Sequence, residues 1–403
     1  MARILVVGGS LGGLMAAGAL LRDGHEVQVL ERSPRSLEGR GAGIVTHDNL
    51  RLALHAAGAV VDDTLGVPVR SRVVLGTDGQ ALCRWDYPQV LTSWGRLYSL
   101  LRAAVPGLAH RLGAAVSSVT QDEHQVTATL SSGERLQADL LIAADGIRSG
   151  VRAQLAPAVQ PAYVGYIAWR GVCDEAVLSQ HTRDTLFGHF GFGLPDGEQM
   201  ISYPVAGALD STAAGERRCN FVWYRPVAAG ADLAALMTDA DGRHHPEGIA
   251  PQAVSWRCIA AMRQAARERL APQYAEVVEK TAMPFLQPIY DLVSPRLAFG
   301  RVALLGDAAF VARPHTGMGV TKAGDDARAL AAAVAAHGAT PTALQHYDRE
   351  RQPVGCFMVE RGRALGGYLE AHAQRQAAQR DPDAVMRQTA IEARDFQPIP
   401  QAA

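Results

Sequence analysis

The sequence predicts an α/β fold: a domain built on parallel strands, interrupted by an inserted, mainly antiparallel β-sheet domain and followed by C-terminal helices. Three features carry that expectation. The N-terminus reads as strand, glycine-rich turn and helix; two later strands each deliver an aspartate and a glycine from their C-terminal ends; and the texture between those strands changes to short alternating segments. The expected divisions are 1–160 for the first part of the parallel-strand domain, 161–288 for the sheet domain with a helical segment, 289–335 for the second part and 336–403 for the helical end.

Composition limits the function classes. The 403 residues carry 39 Lys+Arg against 40 Asp+Glu, so no nucleic-acid partner is expected, because a polyanion selects a basic excess. With 48% hydrophobic residues the chain can build a core without disulfide or metal. Lys280 and Lys322 are its only lysines, which leaves few groups for Schiff-base chemistry. Cys83, Cys173, Cys219, Cys258 and Cys356 are scattered with no C-x-x-C pair; they read as buried hydrophobes in a cytoplasmic protein, and no metal site is expected.

The uncharged run 4–21 is neither a signal peptide nor a membrane span, because its five glycines gather where the period changes from strand to helix. Ile4-Leu5-Val6-Val7 is a buried strand, 14–21 a helix ending at Asp23-Gly24, and Glu26-Val27-Gln28-Val29-Leu30 a second strand that ends on Glu31. Together they form a Rossmann-like dinucleotide-binding unit. Gly8 allows the tight turn, Gly9 and Gly12 keep it bare, Ser10 stands where backbone approaches a pyrophosphate, and Gly13 lets helix and strand pack closely. The helix start offers N–H groups and a positive dipole end to the phosphates. Glu31, with Arg32 beside it, is placed for ribose hydroxyls. By itself the unit does not choose between FAD and NAD.

The later strands, 139–143 and 302–305, run into Ala144-Asp145-Gly146 and Gly306-Asp307-Ala308-Ala309; the second is followed by Pro314, Gly317-Met318-Gly319 and an alanine-rich helix. Ligands of open α/β sheets sit at such carboxyl ends. Between them, 166–172, 185–192, 200–205 and 219–225 read as strands, with a turn at Leu194-Pro195-Asp196-Gly197. Parity puts Phe190 and Phe192 opposite Phe187 and His189, Tyr203 opposite Ser202, and Trp223 opposite Tyr224. Either face can meet the ligand, and His189, Tyr203 and Trp223 are the candidate liners. Residues 232–280 read as polar helix with a loop at 241–251, and the tail after Arg363 as helix that frays.

These loops, in this order, resemble the group A flavoprotein monooxygenases, the aromatic hydroxylases typified by p-hydroxybenzoate hydroxylase. Their D-G-x-x-S-x-x-R motif is matched by Asp145, Gly146, Ser149 and Arg152. Their G-D-A-A-H-x-x-x-P-x-x-G-x-G motif is matched by Gly306, Asp307, Pro314, Gly317 and Gly319, with Phe310 in place of the histidine. The resemblance implies a p-hydroxybenzoate hydroxylase-type FAD-binding fold. It assigns the first loop to the ADP half of FAD, Asp307 to the ribityl region, Asp145-Gly146 to the pyrophosphate side, and Arg40-Gly41-Ala42-Gly43-Ile44 to the flavin's flank. Asn49 matches a helix-opening asparagine, and Arg96 stands where the family keeps a cofactor-contacting arginine; surface ion pairing is the alternative for Arg40 and Arg96. Within the family the chain looks similar to the bacterial 2,6-dihydroxypyridine 3-hydroxylase subgroup at 7–10, 31–34, 166–172, 313–315 and 325–328.

The chemistry implied by the resemblance uses NADH or NADPH to reduce the flavin. O2 then adds at flavin C4a, and the hydroperoxide passes its distal oxygen to a small electron-rich aromatic, a hydroxypyridine or related N-heterocycle. The Gly317-Met318-Gly319 turn opens a helix whose N–H groups can stabilise negative charge on reduced flavin. A base that deprotonates a ring hydroxyl would help; His47 and His315 are the candidates, and each reads equally well as a histidine filling a turn. One fingerprint implies no second domain for the nicotinamide. The expected state is monomer or homodimer, without membrane attachment. The alternatives are a flavin dehydrogenase or oxidase of a small cyclic substrate, and a non-catalytic flavin-binding sensor.

Overall fold

The computed structural model describes residues 1–38, 43–370 and 381–396. Strands Val302–Leu304, Leu140–Ala143, Arg3–Val7 and Glu26–Glu31 run parallel at the centre of a six-stranded sheet, with Ala298–Phe299 and His110–Leu112 at its edges. Their apolar runs are buried on both faces, as parallel strands require. Register makes this sheet functional. Leu30, Val7, Ala143 and Leu304 pair in one continuous row, so four strands end level and their turns leave the same edge.

The turns are then locked to one another. Gly8, at φ 105°, donates its N–H to Leu30 O at 2.9 Å, and a side chain there would overlap the Ala144 carbonyl of the second turn. Helix Leu11–Arg22 packs so closely that a Cβ on Gly13 would collide with Gly8 O. Arg152 is buried; it donates to Ile147 O in the second turn and at 2.9 Å to Ala308 O in the third. The third turn is gripped from behind by helix Gly319–His337. Lys322 Nζ donates to Gly306 O at 3.2 Å, and Asp326 accepts from Gly306 N at 3.2 Å. Asp326 also pairs with Lys322 and Arg351, both at 2.9 Å, inside the core. Phe310 is buried against Lys322 and the bare backbone of Gly355 on helix Pro341–Gly366, which explains an aromatic where the family motif has histidine.

The second sheet has nine strands, in the order Phe310–Val311, Phe285–Val293, Ala162–Asp174, Arg218–Pro226, Gln199–Val205, His189–Gly193, Val67–Leu75, Ala81–Ser93 and Gly43–Val45. Three of its strands come from residues 43–93, so a boundary at 160 does not separate the two sheets. Segment 185–192 is not one strand. Ser179 caps helix Gln180–Leu186, accepting from Thr182 N at 3.3 Å, and the strand begins only at His189. The turn after it is present, with Gly197 at φ 69° and Glu198 N bonded to Pro195 O at 2.9 Å.

One face of this sheet, with Ile167, Trp169, Met200, Phe221 and Trp223, is buried under helices Trp256–Arg269 and Pro272–Lys280. The opposite face carries Tyr166, Phe190, Ile201, Tyr203, Val222 and Tyr224. Across it lies the C-terminal helix Pro382–Gln388 and the strap that follows, held by the buried Arg72, whose guanidinium donates to Met386 O, Thr389 O and Ala390 O. Part of the expected frayed tail, 371–380 and 397–403, lies outside the described residues. Among the described residues no helix is long and apolar enough to cross a membrane.

Replacing Asp326 with alanine strands Lys322 and Arg351 in the core, and should lower unfolding stability by about 3–5 kcal/mol. Denaturant unfolding of the variant checks this; a loss below about 1 kcal/mol would show that the pair is not holding the turn.

Candidate active site

A cavity of about 570 Å³ opens between the aromatic face of the nine-stranded sheet and the level strand ends of the parallel sheet. The sheet contributes Arg170, Phe190, Tyr203 and Tyr224; the facing wall is Asp307, Pro314, Gly317 and Gly319. Asp307 presents an accessible side chain to this cleft although protein surrounds it, and that burial raises its carboxyl above the usual range while Lys322 draws it back. Gly317, at φ 66°, turns the chain so that helix Gly319–His337 starts at the cavity with no side-chain cap, and Met318 is buried beneath the turn. The first N–H groups of that helix are left for a ligand.

The same holds at the other end of the row. Ser10 occupies the N-cap of helix Leu11–Arg22, yet its hydroxyl caps nothing. Glu31 is buried, and its two oxygens accept from Gly9 N and Ser33 N, each at 2.8 Å. It therefore orders the first loop and keeps lone pairs for ribose hydroxyls. Arg32 beside it is exposed. Gly12 packs toward Ala323 and Leu305 of the third segment. In the second turn, the Asp145 carboxylate faces back onto its own loop, accepting from Val151 N at 3.3 Å; burial raises its carboxyl. It shapes the Gly146 turn, and the following residues, Ile147 and Arg148, reach the cavity. Two uncapped helix starts, a buried acid at one end and an acid opening on the cavity at the other fit a dinucleotide with an aromatic head.

Comparison with known proteins agrees. A family model described as FAD binding domain-like matches residues 163–291. The 2,6-dihydroxypyridine 3-monooxygenase of Paenarthrobacter nicotinovorans is 31% identical over 373 residues, which cover 91% of each chain. The chain belongs to the FAD-dependent aromatic monooxygenases. The solved 2,6-dihydroxypyridine-3-hydroxylase from Arthrobacter nicotinovorans superposes with a TM-score of 0.89 at 28% identity, covering 100% of this chain and 98% of that one. Salicylate hydroxylase of Pseudomonas putida is 29% identical over 399 residues, 91% of this chain and 86% of its own. The fold is thus the p-hydroxybenzoate hydroxylase type, the cofactor is FAD, and the family works with NAD(P)H and O2.

Several expected residues of the monooxygenase lie elsewhere. Trp223 faces away from the cavity, donating Nε1 to Glu198 at 2.9 Å in the core beneath the sheet. His189 is on that same side by strand parity and bonds Ser71 Oγ at 2.8 Å. Tyr203 does line the cavity, and burial pushes its hydroxyl up to about 12. Arg96, whose backbone N–H is capped by Ser93, pairs through its guanidinium with Asp210 at 3.0 Å and bonds Thr64 at 2.6 Å. Arg40 and Gly41 lie outside the described residues. Neither candidate base touches the cavity. His47 occupies the N-cap position of helix Asp48–Ala56 without capping it through its side chain, bonds Thr321 at 3.0 Å and is pushed down to about 4 by burial and by Arg72. His315 sits behind the wall, bonded to Tyr166 at 3.0 Å and packed on the ring of Tyr224.

Three residues at the cavity or the first loop were not singled out from the sequence. Arg170 and Tyr224 line the cavity from strands read only by parity. His110 lies beside Gly9, its Nε2 buried without a partner and its basicity lowered by burial. Its three-residue edge strand carries no pattern long enough to read.

Asp307→Ala should purify largely colourless; full FAD content in the variant would remove the acid from the cofactor site. Glu31→Ala should weaken FAD retention by about 1–3 kcal/mol, measured by equilibrium titration of the apoprotein, and unchanged affinity would leave Glu31 a purely local role.

Proposed function

We propose that this monooxygenase uses NADH or NADPH and O2 to hydroxylate a small electron-rich aromatic, a hydroxypyridine or a related N-heterocycle. The observation that carries the reading is the aromatic cavity set against the Asp307 and Gly317–Gly319 wall, supported by the similarity to a protein named for 2,6-dihydroxypyridine. Its volume of about 570 Å³ has room for the flavin ring along that wall and a small aromatic ring beside it.

Gly8, Gly9, Ser10, Gly12 and Gly13 hold the ADP half of the cofactor at the first helix start, with Glu31 and His110 at the ribose end. Gly306 and Asp307 hold the ribityl side. When bound, FAD supplies the redox chemistry that activates O2. The N–H groups that open helix Gly319–His337 stabilise negative charge near Gly317 and Met318 without reorganising, as preorganised donors do. Phe190, Tyr203 and Tyr224 present flat faces for an aromatic ring, and Val222 adds apolar surface that keeps water out. With one dinucleotide fingerprint, the nicotinamide binds transiently. A cytoplasmic location and a monomeric or dimeric state complete the reading.

Oxygen uptake with NADH or NADPH over hydroxypyridines, hydroxybenzoates and simple phenols tests it. At least one hydroxypyridine should accelerate nicotinamide oxidation and yield a product carrying one atom from labelled O2. Acceleration that ends in hydrogen peroxide with no oxygenated product from any compound would make the protein an oxidase.

A further inference from the structure

Arg170 projects from the Ala162–Asp174 strand onto the cavity face, in the row with Val222 and Phe285 of the neighbouring strands. Among the described residues its guanidinium makes one hydrogen bond, from Nη1 to Gln287 Oε1 at 3.0 Å, and no ion pair; its Nε is buried without a partner. Other arginines withdrawn from water are held by several partners, acids or backbone carbonyls: Arg72 donates to Met386 O, Thr389 O and Ala390 O, and Arg152 to Ile147 O and Ala308 O. Arg313 meets Asp291 at 3.0 Å and Arg351 meets Asp326 at 2.9 Å. The carboxylates that share the cavity, Asp307 and Glu247, form no pair with Arg170. Its charge reaches Tyr203 and Tyr224 and opposes the rise that burial causes in both hydroxyls.

A cation partly withdrawn from water, with donors left over, is a site waiting for an anion. The reaction proposed above supplies one. An electrophilic oxygen needs an electron-rich carbon, and a ring hydroxyl enriches its ring most after losing its proton. No histidine of the chain's candidates lines the cavity to take that proton, whereas a guanidinium beside the hydroxyl lowers its pKa and lets it arrive ionised.

We propose that Arg170 receives the ring-borne oxyanion of the aromatic substrate, so that the enzyme selects the ionised form of a hydroxylated ring over neutral rings of the same shape. The assignment rests on the cavity being the aromatic-substrate site. Gln287 holds Nη1 so that the group does not swing away, and Nη2, which has no hydrogen-bond partner among the described residues, is left for the ring oxygen. The aromatic faces of Tyr203 and Tyr224 flank the ring without adding charge.

The test titrates FAD-loaded protein with matched ligands and reads the change in flavin absorbance. The pairs are a hydroxypyridine, above its own pKa, against the corresponding methoxypyridine, and benzoate against benzamide. Wild type should bind the pyridinolate about tenfold or more tighter than its methoxy partner, and Arg170→Gln should erase that difference while leaving methoxypyridine affinity within about twofold. Arg170→Lys should keep part of the preference. A wild type without anion preference, or with no binding of any ligand, overturns the proposal, as does a preference that survives in Arg170→Gln. Preference for benzoate alone also overturns it, because the partner is then a carboxylate substituent. Arg170-dependent pyridinolate binding without any oxygenated product would uphold this assignment and defeat the hydroxylase reading instead.

Discussion

One row of hydrogen-bonded strand ends, Leu30, Val7, Ala143 and Leu304, sets where everything else can be. Parallel strands deliver their turns from the same edge, but only a level register brings turns from residues 8, 145 and 307 within reach of one ligand. Side chains then keep them there. Arg152 ties the second turn to the third, and the Lys322, Asp326 and Arg351 network grips the third from behind. These ions do not line the cavity. Their burial is costly to leave unpaired, and that cost makes the geometry of the Asp307 turn stiff.

The inserted sheet meets this edge with chemistry divided between its two faces. Alternation places Trp169 and Trp223 under the helices and leaves Tyr203, Tyr224 and Arg170 for the cavity. The result is a largely apolar chamber with aromatic rings and a cation on one wall and an acid with helix N–H groups on the other. A ligand seated there would displace water, and each remaining electrostatic contact would strengthen. The C-terminal strap closes one side, where Ala390 reaches the cavity and donates its N–H to His315 O at 2.8 Å.

The parallel-strand core and its three turns were legible because their signals are local: a glycine run, an aspartate after an apolar strand, a helix start. The face of the sheet that meets the cavity was not, since strand parity separates Tyr203 from Ser202 and Trp223 from Tyr224 but never says which side is up. Only the packing of helices 256–280 decides it. The directions of Arg96 and the two histidines were not legible for a related reason. Arg96 turns to Asp210 and Thr64, His47 to Thr321 and His315 to Tyr166, and motif spacing carries no information about direction. Likewise 185–192 alternates convincingly, yet the cap at Ser179 commits its first residues to a helix. The strands at 43–93 join a sheet whose partners lie a hundred residues later, a pairing no local pattern encodes.

The central claim is that three turns from distant parts of the chain form one cradle, and a crystal structure of the FAD-loaded protein tests it most directly. The account predicts the pyrophosphate over the start of helix Leu11–Arg22, Asp307 within hydrogen-bonding distance of the ribityl chain, and the isoalloxazine ring beside Gly317 with its free face toward Tyr203 and Tyr224. Flavin density remote from Asp307, or turns at 8, 145 and 307 that do not share the molecule, would contradict it.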